Sequence, residues 1–128
     1  MSDVLVAAAR DAREHAFAPF SKFQVGAALE AADGRVVTGC NVESASYGLT
    51  MCAERVAIFK GVSEGTTRFV RVAIVTGAET LTPPCGACRQ LLWEFAPDAD
   101  VTLANLAGAE KRYTVRELIP DGFDATNL

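Results

Sequence analysis

The feature that most constrains the fold is an apolar strand followed by a helix and a second apolar strand. Phe69 to Thr76 reads FVRVAIVT, a β-branched run typical of a buried strand. Cys85 to Phe95 is predicted to be a helix because it follows two prolines and stops before Pro97. Val101 to Leu106 is the next predicted strand. Since a long crossover joins parallel strands, this unit predicts two parallel strands at the centre of a sheet.

The rest of the chain adds further elements to this unit. The Ala107-Gly108-Ala109 link is too short for a crossover, so the fifth strand should run antiparallel to the fourth. We therefore expect one domain, residues 1–128, with an α/β fold: a three-layer α/β/α sandwich around a mixed five-stranded sheet with an antiparallel fifth strand. The remaining predicted elements are a helix from Ser2 to His15, strands from Phe23 to Ala31 and Arg35 to Val42 joined through Asp33-Gly34, a helix from Cys52 to Lys60 closed by Gly61, a strand from Lys111 to Tyr113 and a helical turn from Val115 to Leu118.

Composition and charge narrow the classes of function. Half of the 128 residues are hydrophobic (50%), yet none of the apolar runs approaches the roughly 20 residues of a membrane span. The start Met1-Ser2-Asp3 lacks the basic and then apolar pattern of a signal peptide, which favours the cytoplasm. With a net charge of −4 and no basic cluster longer than Lys111-Arg112, we expect no nucleic-acid partner. Reduced cysteines in such a compartment are more often metal ligands or catalytic groups than disulfides.

Two short motifs carry the chemistry. Cys52-Ala53-Glu54-Arg55 and Pro83-Pro84-Cys85-Gly86-Ala87-Cys88 together offer three thiols and one carboxylate. Cys52, Cys85 and Cys88 suit one tetrahedral zinc ion per chain, with the fourth position left for water. Glu54 then stands beside that position as a general acid and base. This order, a metal ligand followed two residues later by glutamate and then P-C-x-x-C, is typical of zinc-dependent nucleobase deaminases.

These residues also admit other interpretations. Cys85-Gly86-Ala87-Cys88 also fits a redox C-x-x-C motif, but that leaves Cys52 and Glu54 without a role. A closed structural site with four cysteines would need Cys40, which lies in a predicted strand and suits a small buried apolar side chain. Further alternatives are His15 as a ligand, Glu54 as a carboxylate that only benefits from the dipole at a helix start, and a zinc-stabilised interaction module without turnover.

The chain resembles the cytidine deaminase family over nearly its whole length. The resemblance rests on residues 19–28 (PFSKFQVGAA), 39–43 (GCNVE), 52–55 (CAER), 84–90 (PCGACRQ) and 118–120 (LIP). It implies the short, homotetrameric branch and hydrolytic deamination of cytidine and 2′-deoxycytidine, with small nucleosides as substrates. The main alternative within this chemistry is a different aminated nucleoside or base. Phe20 departs from the pattern, because the family often carries tyrosine there.

The resemblance also implies roles around the metal. Phe23 is similar to the family's aromatic residue that stacks on the pyrimidine, with core packing as the alternative. Asn41 and Glu43 alternate along a predicted strand end and therefore share one face, where they are suited to bind a ribose hydroxyl. Tyr47 and Phe123 are similar to aromatic residues that reach a neighbouring subunit's site, with local packing as the alternative.

Two arginines follow the metal ligands. Three thiolates overcompensate the charge of Zn²⁺, so helix N-termini and a guanidinium bonded to sulfur would restore some of its acidity. The resemblance assigns this hydrogen bond to Arg55, and Arg89 is a second candidate. The alternative is that both are ordinary surface or interface arginines.

Overall fold

The computed structural model describes residues 2–128, and its elements follow the predicted order. Two short 3₁₀ turns, Tyr47–Leu49 and Ala125–Asn127, were not predicted. None of the helices formed by the described residues has the length and apolar character needed to cross a bilayer. The elements are α1 (Ser2–Arg13), β1 (Val25–Ala31), β2 (Val36–Cys40), α2 (Ala53–Ser63), β3 (Phe69–Thr76), α3 (Gly86–Phe95), β4 (Asp100–Asn105), β5 (Glu110–Thr114) and α4 (Val115–Leu118).

The five strands form one mixed sheet in the order β2-β1-β3-β4-β5. β3 and β4 are parallel, with Arg71 opposite Asp100 and Thr76 opposite Asn105. β4 and β5 are antiparallel, as are β1 and both of its neighbours. The predicted parallel pair and the antiparallel fifth strand are therefore confirmed.

Helices cover both faces of the sheet and create two apolar cores. Because successive strand residues point to opposite faces, neighbours such as Ala73 and Ile74 enter different cores. The smaller core packs Leu5, Val6 and Ala9 of α1 on the small side chains Ala28, Ala73 and Val75. The larger core packs Ile58 of α2 and Leu92 of α3 on the other face. The predicted three-layer α/β/α arrangement is confirmed.

α2 lies unusually close to the sheet at Gly39 of β2. A β-carbon at position 39 would lie 2.6 Å from the carbonyl oxygen of Ala53 and 2.6 Å from the amide nitrogen of Ala57. Real β-carbons do not approach backbone atoms so closely, so only glycine permits this contact. The first turn of α2 is thereby seated directly on the backbone of β2.

Four predicted boundaries were wrong by two or three residues: α1 ends at Arg13 rather than His15, β1 begins at Val25 rather than Phe23, and the ends of α2 and β2 also differ. Gly61 does not close α2, because the helix continues to Ser63 and Gly61 is buried within it. Its missing side chain makes room for Phe69, whose Cζ would lie 2.6 Å from a β-carbon at that position. β2 ends at Cys40 rather than Val42, because the chain leaves β1 there and Val42 bridges to Phe17 and Met51 instead.

Candidate active site

A cavity of about 270 Å³ opens where β1 begins, β3 ends and α2 begins. Val25 and Thr76, which face each other across β1 and β3, form its base together with Ile74. Cys52, Glu54 and Cys85 line the cavity from the helical side. The two predicted motifs, 33 residues apart in the chain, therefore meet in one cavity.

The three predicted metal ligands are gathered at two helix N-termini. Cys52 is the N-cap of α2, Cys85 is the N-cap of α3, and Cys88 is buried in the first turn of α3. The Sγ atoms of Cys52 and Cys85 are 3.7 Å apart, and those of Cys85 and Cys88 are 3.5 Å apart. Among the described residues, this is the one group of three potential ligands that could hold a metal ion, and Cys40 is not part of it.

The surroundings of the three thiols suit a thiolate-binding metal. Neither Cys52 nor Cys85 uses its side chain to cap its helix, so both sulfurs are available for coordination. A hydrogen bond from Cys88, followed in importance by one from Arg55, lowers the pKa of Cys52 to about 5. Zinc binds thiolates in tetrahedral geometry, and three protein ligands leave a position for water. The donor set therefore fits a catalytic zinc ion, and the finding matches the predicted cofactor.

Glu54 lies on the first turn of α2 with only 4% of its surface exposed. Burial raises the pKa of its carboxyl group from 4.5 to about 7. A carboxyl group with this pKa is populated in both protonation states near neutral pH, so it can take up a proton and later release it. The carboxylate predicted as general acid and base therefore lies beside the cysteines with a raised pKa, and its catalytic role stays a prediction.

The two arginines differ in what they contact. Nη2 of Arg55 donates a hydrogen bond to Sγ of Cys52 at 3.5 Å, which raises the pKa of Arg55. Arg89 instead donates from Nε to the carbonyl of Pro84 at 2.8 Å and from Nη1 to the carbonyl of Leu118 at 2.9 Å. Arg55 is therefore in contact with a sulfur, whereas Arg89 anchors the backbone that leads into Cys85.

Phe23 and Asn41 line the cavity on the side of β1. The Phe23 side chain is outside the two apolar cores and 38% exposed, so it is available to a ligand. Asn41 is buried at the end of β2, where its Oδ1 accepts from the amide of Val25 at 2.8 Å and its Nδ2 donates to the carbonyl of Phe23 at 2.7 Å. Asn41 therefore holds the backbone that presents Phe23.

Glu43 lines the same cavity although β2 ends before it. Its Oε1 accepts from the amides of Phe20 at 3.0 Å and Ser21 at 3.1 Å, and its Oε2 accepts from the Ser21 hydroxyl. These bonds, the Ser21 hydroxyl first among them, lower the pKa of Glu43. The sequence reasoning assigned no role to Ser21, because a serine in a loop carries no pattern that reveals its partner.

Tyr47 and Phe123 lie outside the lining of the cavity. Tyr47 is 75% exposed and packs edge-on against Phe20, with ring centroids 5.9 Å apart. It lines a neighbouring hollow that shares Ser21, Glu43 and Thr50 with the cavity. Phe123 is 54% exposed, and its carbonyl accepts from Nε2 of Gln90 at 2.7 Å. Local packing therefore leaves more than half of the surface of each of these residues uncovered.

Known proteins share this fold and a large part of this sequence. Residues 2–104 match the family model described as the cytidine and deoxycytidylate deaminase zinc-binding region. The cytidine deaminase of Halalkalibacterium halodurans is 50% identical over 126 residues, which cover 98% of this chain and 96% of that protein. The cytidine deaminase of Sporosarcina psychrophila is 46% identical over 97% of this chain and 92% of its own. The crystal structure of cytidine deaminase from Burkholderia pseudomallei is 43% identical and superimposes with a TM-score of 0.91 over 96% of this chain and 99% of that chain. This chain therefore belongs to the cytidine and deoxycytidylate deaminase family.

Proposed function

We propose that this protein hydrolyses the exocyclic amino group of cytidine and 2′-deoxycytidine, giving uridine or 2′-deoxyuridine and ammonia. The observation that carries the proposal is the buried Glu54 carboxyl group in one cavity with Cys52 and Cys85, beside Cys88. The similar proteins named cytidine deaminases support this substrate over other aminated nucleosides. A module without turnover would need neither the open cavity nor the carboxyl group with a raised pKa.

We assign the metal to Cys52, Cys85 and Cys88, one zinc ion per chain. When bound, zinc lowers the pKa of a coordinated water molecule toward about 7 and so makes hydroxide accessible at neutral pH. The Arg55 guanidinium, bonded to the sulfur of Cys52, would withdraw charge from that ligand. Arg89 would help by fixing the backbone at Pro84, next to Cys85.

Glu54 performs the proton transfers. It accepts a proton from water, and the hydroxide formed adds to C4 of the pyrimidine. Glu54 delivers its proton to N3, which receives the electron pair displaced from the C4–N3 double bond. It then takes the proton of the new C4 hydroxyl group and delivers it to the exocyclic amino nitrogen; the bond from C4 to that nitrogen breaks as the C4–O double bond forms, and ammonia leaves. One carboxyl group with a pKa of about 7 can serve as base and then as acid.

Phe23, Asn41 and Glu43 orient the nucleoside in this proposal. The exposed Phe23 ring stacks on the pyrimidine. The Asn41 amide uses one donor and one acceptor on the backbone and therefore retains one of each for a sugar hydroxyl. Glu43 accepts three hydrogen bonds, and a carboxylate offers about four such positions, so one position remains for a second hydroxyl.

We further propose that residues 1–128 form a single catalytic domain that assembles into a homotetramer with its sites at subunit interfaces. Tyr47 supports this because it packs on the exposed Phe20 ring, and contiguous exposed apolar surface is typical of interaction sites; Phe123 is exposed as well. Each would contact the site of a neighbouring subunit. Sedimentation should then show a particle of four times 13.6 kDa, and a fully active monomer would refute the shared site. A role in pyrimidine salvage in the cytoplasm, with no nucleic-acid or membrane partner, completes the proposal.

The decisive experiment is an ammonia-release assay of the zinc-loaded protein. Cytidine and deoxycytidine should turn over, whereas cytosine, which lacks the sugar, should be a poor substrate. CMP and adenosine test whether a phosphate or a purine is accepted. Rapid turnover of adenosine without turnover of cytidine would replace the proposed substrate, and no turnover of any of them would refute the enzyme assignment.

A further inference from the structure

Asn105, outside the cavity lining, is a fully buried polar residue whose amide joins two segments. It ends β4 opposite Thr76 and is only 3% exposed. Its Oδ1 accepts from the amides of Ala107 at 3.1 Å and Ala109 at 3.0 Å, which closes the hairpin between β4 and β5. Its Nδ2 donates to the carbonyl of Glu79 at 2.9 Å. One side chain therefore ties this hairpin to the loop that follows β3.

That loop, residues 77–84, carries one wall of the cavity and leads into Cys85. Thr82 and Pro83 line the cavity directly. Among the described residues, the backbone-to-backbone hydrogen bonds outside helices and strands include none made by residues 77–84. The loop is held instead by side chains: Thr76 at its start, Arg89 at its end and Asn105 in between. The packing of Leu81 against the larger core adds an apolar contact.

The three tethers hold different parts of the loop. The Thr76 hydroxyl accepts from the amide of Ala78 at 3.3 Å, and Arg89 holds Pro84 at the metal end. Glu79 lies between these two anchors, so the Nδ2 bond of Asn105 is the polar contact that holds the middle of the loop. Without it, the loop would keep its Leu81 and Arg89 contacts but lose the polar contact at its middle, ahead of the cavity-lining Thr82 and Pro83.

We propose that Asn105 is a positioning residue for the deamination: through the Glu79 carbonyl it keeps Thr82 and Pro83 in place against the bound nucleoside. This inference rests on the proposed function for its kinetic consequences. Because Arg89 holds the metal end separately, the loss of this tether changes substrate binding rather than zinc binding or proton transfer.

The variant Asn105→Asp removes the donor to Glu79 while keeping an acceptor for the hairpin. The aspartate keeps an oxygen that accepts from Ala107 and Ala109, but it replaces the donor with an oxygen that repels the Glu79 carbonyl. We expect KM for cytidine to rise roughly tenfold, the scale of a lost buried hydrogen bond. Turnover at saturation should stay within about threefold and zinc content should be unchanged, since Glu54 and the ligands are untouched. Hydrogen–deuterium exchange of residues 77–84 should be faster.

Gly108→Ala provides the matched control. Gly108 sits at φ +97° in the same hairpin, so alanine strains that turn without touching the Glu79 carbonyl. It should lower Tm by roughly 5 °C and leave both KM and the exchange of residues 77–84 near the wild-type values. If Asn105→Asp is poorly folded, Asn105→Ser, whose hydroxyl is too short to reach Glu79, replaces it.

The outcomes separate the inference from the proposed function. An unchanged KM in the Asn105 variants, or an equal rise in Gly108→Ala, would overturn the inference. Unchanged exchange of residues 77–84 would overturn it even if the wild-type protein did not deaminate cytidine. Inactivity of the wild-type protein toward all five compounds would instead refute the proposed function, while the exchange comparison would still decide whether Asn105 holds the loop.

Discussion

The cavity has two walls built in different ways. The helix wall consists of Cys52, Glu54 and Cys85, which lie at or just inside the N-termini of α2 and α3. The loop wall lies in segments between strands and helices and includes Phe23, Glu43, Thr82 and Pro83. Side chains on the helix wall are oriented by a regular backbone, whereas those on the loop wall depend on individual hydrogen bonds, such as those from Phe20 and Ser21 to Glu43.

This difference separates the groups expected to carry out the reaction from those expected to bind the substrate. A metal centre and a proton-transfer group need fixed distances, which the first turns of two packed helices provide. Contacts to a sugar need shape and a few polar groups, which loops can supply and vary. We therefore expect substitutions on the helix wall to abolish turnover, and substitutions on the loop wall to weaken substrate binding.

The largest expected effect is the loss of the metal. Replacing Cys52, Cys85 or Cys88 by alanine should reduce zinc from one ion per chain to none and abolish activity, because two thiolates make a much weaker site. Cys40→Ala is the control and should keep both zinc and activity. Metal analysis after dialysis checks this, and a zinc-free Cys40→Ala beside a metallated Cys52→Ala would contradict the assignment.

Glu54→Gln separates metal binding from chemistry on the same wall. Glutamine keeps the shape but cannot transfer protons, so kcat should fall by about 10²–10⁴-fold while zinc is retained. Glu110→Gln, on exposed β5, changes charge equally and should leave kcat unaffected. Steady-state kinetics of both variants provide the test. Near-native turnover of Glu54→Gln would mean that another group moves the protons.

The raised pKa of Glu54 predicts a pH-dependent stability in the zinc-free protein. Between pH 4.5 and about 7 the unfolded carboxyl group is ionised while the buried one keeps its proton. The carboxyl group therefore contributes its full stability below pH 4.5. The free energy of unfolding then falls by about 3 kcal/mol as the pH rises through the pKa of the group in the folded protein. Glu54→Gln lacks this loss. Urea unfolding of both chelator-treated proteins should show that the variant gains stability relative to the wild-type protein as the pH rises. A difference in free energy of unfolding that does not change with pH would contradict this prediction.

The smallest expected effect lies on the loop wall. Glu43→Gln replaces an ionised acceptor with a neutral one, and charge-assisted hydrogen bonds contribute about 1.5–3 kcal/mol. We expect kcat/KM for cytidine to fall roughly tenfold or more, mainly through KM. Free cytosine should be an equally poor substrate for both proteins. A fall in kcat at unchanged KM would show that Glu43 takes part in the chemistry and would remove the distinction between the walls.

The same contrast explains what could be predicted from the sequence. The β-branched run of β3 and the prolines around α3 are local signals, so the element order, the parallel pair and the three-cysteine cluster were correct. Long-range contacts were not accessible in this way. The Asn41 amide bonds the backbone of Val25, 16 residues away, and Asn105 bonds Glu79, 26 residues away. Gly61 resembled a helix end because its packing partner, Phe69, lies beyond the helix itself.

Gly39 fixes the position of the helix wall relative to the sheet. α2 contacts β2 there through backbone atoms alone, so no side chain can rotate to absorb a displacement. One added methyl group would have to move the whole helix, and with it the separation between Cys52 on α2 and Cys85 on α3. The separation of the metal ligands therefore depends on a backbone-to-backbone contact rather than on a layer of side chains that could adjust. Because this contact holds the helix, the surrounding apolar residues can be substituted while the distances needed for the chemistry stay constant.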